Sequence, residues 1–201
     1  MATGCGGDGT PQDYKVVTGR QLCGGNAISA DASKALKVIT GSSRFEASAK
    51  NYTVAQAATD LAESFQDPTV YRGDACRIYT PRGTPDFDLR ITWRRNDEAP
   101  TGTPDPKFTV LKMGERTLAA PDMAHVQFAC ESDKLAGAAP GVAHIDIGVE
   151  HWATPSEPEG NIKALKNAYA TVAHSFSLAM AKQLRCDKNG GLPTKPVLEP
   201  A

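Results

Sequence analysis

The stretch NIKALKNAYATVAHSFSLAMAKQLRC, Asn161–Cys186, decides how the rest of the chain is read. Ile162, Leu165, Tyr169, Val172, Phe176, Ala179, Met180 and Leu184 recur mostly at steps of three and four. That spacing lays one apolar stripe along an α-helix. Leu, Ala, Met, Lys and Gln dominate the stretch, and all are good helix formers. Gly190-Gly191 stops the pattern, and Cys186 at its end predicts that the helix is tied covalently to another element.

Upstream of this helix the period changes to two. Phe87, Leu89, Ile91 and Trp93 alternate with Asp88, Arg90, Thr92 and Arg94, as a half-buried antiparallel strand requires. Ala75–Thr80 is a second strand, joined to the first by the turn Pro81–Pro85. Lys107–Met113, Thr117–Ala120, Ala124–Cys130 and Val142–Trp152 continue the series, with a polar, proline-rich loop at Asn96–Pro106. Nearer the N-terminus, Tyr14–Thr18 is a short edge strand and Arg44-Phe45-Glu46 an extended link. Two helices are predicted there: Ala30–Thr40, capped by Ser29 and ended by Gly41, and Val54–Phe65, capped by Thr53 and stopped by Asp67-Pro68. Ser156 and Glu159 have capping-box spacing ahead of the long helix. The order is α+β: an antiparallel sheet of five to six strands packed against two N-terminal helices and one long C-terminal helix. The expected organisation is a flexible tether over residues 1–13, a single domain over 14–189 and a disordered tail over 190–201, where three prolines occur without apolar periodicity.

Composition narrows the function classes. Twenty-two basic residues against 23 acidic ones leave a net charge of −1. No concentrated basic patch suits nucleic acid, so no nucleic-acid partner is expected. The densest basic cluster, Arg90, Arg94 and Arg95, lies among Asp86, Asp88, Asp97 and Glu98 and is read as a solvated strand face.

Five cysteines give the compartment. Cys23, Cys76, Cys130 and Cys186 are widely spread with no C-x-x-C pair, which excludes a zinc ribbon and a thioredoxin-type motif. An even set of this kind in an exported domain forms two disulfides. Strand phase puts Cys76 with Ile78, and Cys130 with Val126 and Phe128, on the apolar side of the sheet. Cys23 precedes the first helix and Cys186 ends the last. Each bridge should then join a helix-side cysteine to a strand cysteine, and the more local closure is Cys23–Cys76 with Cys130–Cys186.

The odd cysteine has its own context. Ala2-Thr3-Gly4-Cys5, followed by Gly6-Gly7-Asp8-Gly9, resembles the end of a bacterial lipobox with its spacer. The resemblance covers about the first ten residues, and the charged and apolar parts of a signal peptide are not among them; Met1 is read as a start placed inside a truncated signal. Together with Ala/Gly/Thr/Asp-rich usage, it is similar to the small secreted lipoproteins of actinobacterial type. The resemblance implies a lipid on Cys5, an anchor in the membrane and a place on its outer, extracytoplasmic face.

Candidate chemistry is sparse. His144, Asp146 and Glu150 share one strand face, and His125 and Gln127 join it if the two strands pair. Imidazole and carboxylate at such positions are weak candidates for a divalent metal site or an acid/base pair, centred on His144, Asp146 and His125. No G-x-S-x-G elbow and no phosphate-binding loop occurs, and no cofactor is expected. Asn51-Tyr52-Thr53 matches a glycosylation sequon, which a bacterial lipoprotein would rarely use. Tyr169, Phe176 and Trp93 are candidates for lining an apolar ligand cleft between the sheet and the long helix. The leading expectation is a non-catalytic envelope lipoprotein that presents a surface or cleft to a protein or small-molecule partner. The alternatives are a carrier of a small apolar ligand and a metal-dependent enzyme using the His144/Asp146 face.

Overall fold

The structure, a computed structural model, describes residues 15–67, 69–135, 142–152 and 160–201. Two N-terminal helices, α1 (Ala30–Thr40) and α2 (Val54–Ser64), are capped by the side chains of Ser29 and Thr53. Those oxygens accept from the backbone N–H of Ala32 and Gln56, so each satisfies one of the donors a helix start leaves open. A small two-stranded sheet pairs β1 (Val16–Thr18) with β2 (Arg44–Glu46). The main sheet has six antiparallel strands: β3 (Arg72–Tyr79), β4 (Asp88–Asn96), β5 (Thr109–Leu111), β6 (Arg116–Ala119), β7 (Met123–Cys130) and β8 (Ala143–His151). Their spatial order is β3-β4-β8-β7-β6-β5. The fold is therefore α+β, with the long helix α3 spanning Ile162–Leu184.

The sheet has two unlike faces. Its apolar rows, including Ile91, Val149 and Ala124, and Trp93, Ile147 and Val126, are buried beneath the helices. The long helix is more than a one-stripe element. Ala168 through Ser177 are buried without a break, because α3 is sandwiched between the sheet, α1, α2 and the C-terminal segment. Small residues at Ala170, Ala173 and Ser177 allow those neighbours close. Ser175 ties α3 to the start of α1: its hydroxyl accepts from Ser29 N–H at 2.9 Å and donates to the Ala27 carbonyl at 2.8 Å.

Disulfides join Cys23 to Cys76 and Cys130 to Cys186, the pairing expected from strand phase together with the more local closure. The first welds the turn before α1 to β3. The second welds the end of α3 to the end of β7, where Ser132 Oγ also donates to the Leu184 carbonyl and Asp187 N–H donates to Glu131.

The expectation of a disordered tail at 190–201 is overturned. Gly190 sits on Phe128, Leu192 is buried, and Val197 and Leu198 pack on Leu111, Met113, Ala119 and Ala170. Ala201 N–H donates to the Val110 carbonyl, and Pro200 bridges Leu111, so the segment closes the β5 edge. The three prolines suit this path, since an extended segment on a sheet edge needs few donors of its own. The segment 190–201 thus packs as part of the fold. The tether, Cys5 and the Ser156–Glu159 cap lie outside the described residues; α3 is capped by Asn161, whose side chain accepts from Ala164 N–H.

Candidate functional site

The open face of the main sheet is polar, and its register sorts the side chains into rows. One row crosses five strands: Arg72, Arg94, Asp146, Gln127 and Arg116. The next holds Asp74, Thr92, Gly148, His125 and Leu118, and a third holds Arg77, Arg90, Glu150 and Met123. Arg72 and Asp74 join this face because β3 carries a bulge between Asp74 and Cys76. One extra residue, Ala75, reverses the in/out phase, so Asp74 and Arg77 come to the same side although they are three apart. The strand expected to begin at Ala75 in fact begins at Arg72, and these two residues were missed for that reason. Arg90 and Arg94 lie on this face, but Arg95 does not: its guanidinium donates to the Ser64 carbonyl at 2.5 Å and lies over the Phe65 ring.

A cleft of about 500 Å³ opens over these rows. Arg72, Arg90, Arg94, His125, Asp146 and Glu150 line it, with Trp152 at one end. Gly148 forms its floor. A Cβ there would stand 2.9 Å from Thr92 Oγ1 and 3.1 Å from the His125 ring, so the glycine is what lets those two side chains approach the strand. Gly73 and Trp93 border it as well, and a Cβ on Gly73 would meet the indole at 2.8 Å. The loop between β4 and β5 packs against this face on the β6 side. Arg116 holds it through the Thr101 and Gly102 carbonyls, and Phe108 meets the His125 ring edge-on.

Most charges on this face are paired. Asp74 bridges Arg77, at 2.9 Å, and Arg90, at 2.6 Å. Arg90 is also 3.9 Å from Glu150 and stacks 4.2 Å over the half-exposed Trp152 ring. His125 Nδ1 lies 3.2 Å from Asp146 Oδ1. Burial lowers the His125 pKa, but the hydrogen bond and charge of Asp146 outweigh it, and the net shift is upward. Arg72 and Arg94 are exposed and make no ion pair among the described residues.

The sequence-predicted site residues separate into three groups. His125 and Asp146 do meet. His144 does not join them, and instead contacts Glu115 at 2.9 Å. The expected metal trio is thus split into two imidazole–carboxylate pairs, and among the described residues no three His, Cys, Asp or Glu side chains come together. Tyr169 and Phe176, expected to line an apolar cleft, are instead packed core at 2% and 0% exposure, and Trp93 at 2% shares that core. Neither Tyr169 nor Phe176 borders the polar-face cleft. Compared with protein-family models, curated proteins and solved structures, the chain matches none.

Proposed function

We propose that the protein is a non-catalytic, exported binding domain, held at the outer face of the cell membrane through a lipid on Cys5, that offers the open polar face of its sheet to a partner. The observation that carries the reading is the asymmetry of the sheet. One face is covered by three helices, whereas the other opens a cleft of about 500 Å³ lined by charged side chains. A sheet face that only needed solvation would require no concavity of that size. The two disulfides support an oxidising compartment.

Two measurements in the native host test it. Full-length protein should partition with membranes and carry diacylglycerol on Cys5, and Cys5→Ser should release it. A photo-crosslinking benzoylphenylalanine in place of Trp152 should give a discrete adduct by intact mass, whereas the same group in place of Lys34, exposed on the helix side, should not. Unmodified soluble protein sinks the anchor; absence of any adduct at Trp152 sinks the binding face.

A further inference from the structure

The two pairs of arginines that face each other across β3 and β4 differ in one respect. Arg77 stands opposite Arg90, and Arg72 stands opposite Arg94. Like charges directly opposed on neighbouring strands destabilise a sheet. At the first pair the chain supplies its own remedy. Asp74 Oδ2 accepts from Arg77 Nη2 at 2.9 Å and Nε at 3.1 Å, and Oδ1 accepts from Arg90 Nε at 2.7 Å. A single carboxylate thus clamps two guanidinium forks. At the second pair no side chain among the described residues plays that part. Asp146, next to Arg94 on β8, turns its Oδ1 to His125. Glu150 lies beside Arg90.

We infer that Arg72 and Arg94 form the receptor for a carboxylate carried by a small ligand, which takes between them the place that Asp74 holds between Arg77 and Arg90. The inference rests on the reading of this face as a binding surface and names the ligand class. Three observations support it. The cationic surplus of the cleft sits on these two side chains, since the charge of Arg90 is already shared by Asp74 and Glu150. Asp146 and Glu150 border the same space, so a phosphate, with up to two charges on one compact group, would meet two carboxylates, whereas a carboxylate group places a single charge between the two guanidiniums. The cleft, at about 500 Å³, has the size of a small-molecule site. Thr92 Oγ1 and the His125 edge, beside the Gly148 floor, supply polar contacts for the remainder of the ligand.

The test is a titration of the full chain, labelled for observation of arginine Nε–H resonances, with chloride used to hold ionic strength constant. The probes are succinate, its uncharged diamide and inorganic phosphate. Succinate should shift Arg72 and Arg94 saturably, and the diamide should not. Arg72→Gln and Arg94→Gln should each weaken succinate binding by about tenfold or more, the usual loss when a charged hydrogen-bonding partner is removed. Arg94→Lys should recover only part of it, because a point charge lacks the fork. Arg20→Gln, on the exposed turn before α1, should leave binding unchanged. All of these variants are at exposed positions, so each should fold, and the dispersion of the remaining resonances checks that directly. Absence of a saturable shift with succinate overturns the carboxylate site, as does unchanged affinity in the Arg72→Gln/Arg94→Gln double variant. Phosphate binding as tightly as succinate overturns the choice of carboxylate. A Trp152 adduct that persists while succinate fails to bind leaves the binding face standing and removes only this ligand class.

Discussion

The two faces of one sheet obey different rules. On the helix side every row is filled, both disulfides attach there, and position after position is buried. On the open side the rows are charged, a cleft opens over them, and among the described residues one opposed arginine pair is neutralised while the other is not. The closed face is set by volume and tolerates little change. The open face is set by charge and shape, and its departures from the most stable choice are what mark it as a site.

The comparison breaks most easily at the welds of the closed face. Each disulfide closes a loop of more than fifty residues, with separations of 53 and 56. In the chain-entropy account each contributes on the order of 4 kcal/mol. Replacing Cys130 and Cys186 together by Ser should lower the denaturant midpoint by a corresponding amount. A loss below about 1 kcal/mol would show that Ser132, Asp187 and the tail already hold the end of α3 without the bridge.

The C-terminal segment should come next. Removing 192–201 uncovers Leu111, Met113 and Ala170, removes the burial of Leu192 and leaves His174 Nε2–H without the Pro193 carbonyl it now meets at 2.8 Å. One buried Leu is worth about 2 kcal/mol and an orphaned buried donor about 1–3 kcal/mol, so a loss of about 3 kcal/mol or more is expected in urea unfolding. An unchanged melting temperature would mean that the segment is dispensable after all.

How much of this was legible depends on whether the signal was local. The helices and most strands follow from period and capping residues, and α1 ends at Gly41 as its sequence predicts. For the disulfides, strand phase disfavoured only Cys76–Cys130 with Cys23–Cys186, because Cys76 and Cys130 each share a face with apolar neighbours; the choice between the other two pairings rested on the more local closure. The tail was not legible, since Leu192, Val197 and Leu198 have no period of their own; the surface they cover is made by α3, β5 and β6 together. The cleft was half legible. Alternation put Arg90, Arg94, His125 and Asp146 on one face, but the bulge at Ala75 reverses phase within β3 and hid Arg72 and Asp74. His144 was misplaced because Glu115, 29 residues away, captures it.

A milder effect should separate the two glycines that shape the cleft. Gly73→Ala drives a methyl to within 2.8 Å of a buried indole that cannot move far, and should cost about 1–3 kcal/mol. Gly148→Ala meets Thr92 Oγ1 and the edge of a partly exposed imidazole, both able to give, and should cost less. It should nevertheless impair succinate binding, since it raises the floor. Equal stability losses at the two positions would show that the open face is packed as tightly as the closed one.

The smallest effect concerns two histidines with opposite signs, one on each side of the sheet. His174, buried on α3, has its pKa lowered chiefly by burial, only partly offset by the Pro193 carbonyl. The unfolded chain therefore binds its proton more readily, and stability is lost as pH falls below the unfolded value of about 6.5. His125, beside Asp146, has its pKa raised. Its contribution is fully present below about pH 6.5 and is lost as pH rises through the higher folded value. With its side chain 31% exposed, solvent screening keeps that contribution below about 1 kcal/mol. The two slopes oppose each other in the intact protein. His174→Gln, whose amide can still donate to Pro193, should flatten the loss below about pH 6.5, whereas Asp146→Asn should remove the stability that His125 gains as pH falls through its raised folded value toward about 6.5. Unfolding free energies between about pH 5 and 8 decide the matter. If both variants change the slope in the same direction, the assignment of opposite signs to the two faces is wrong.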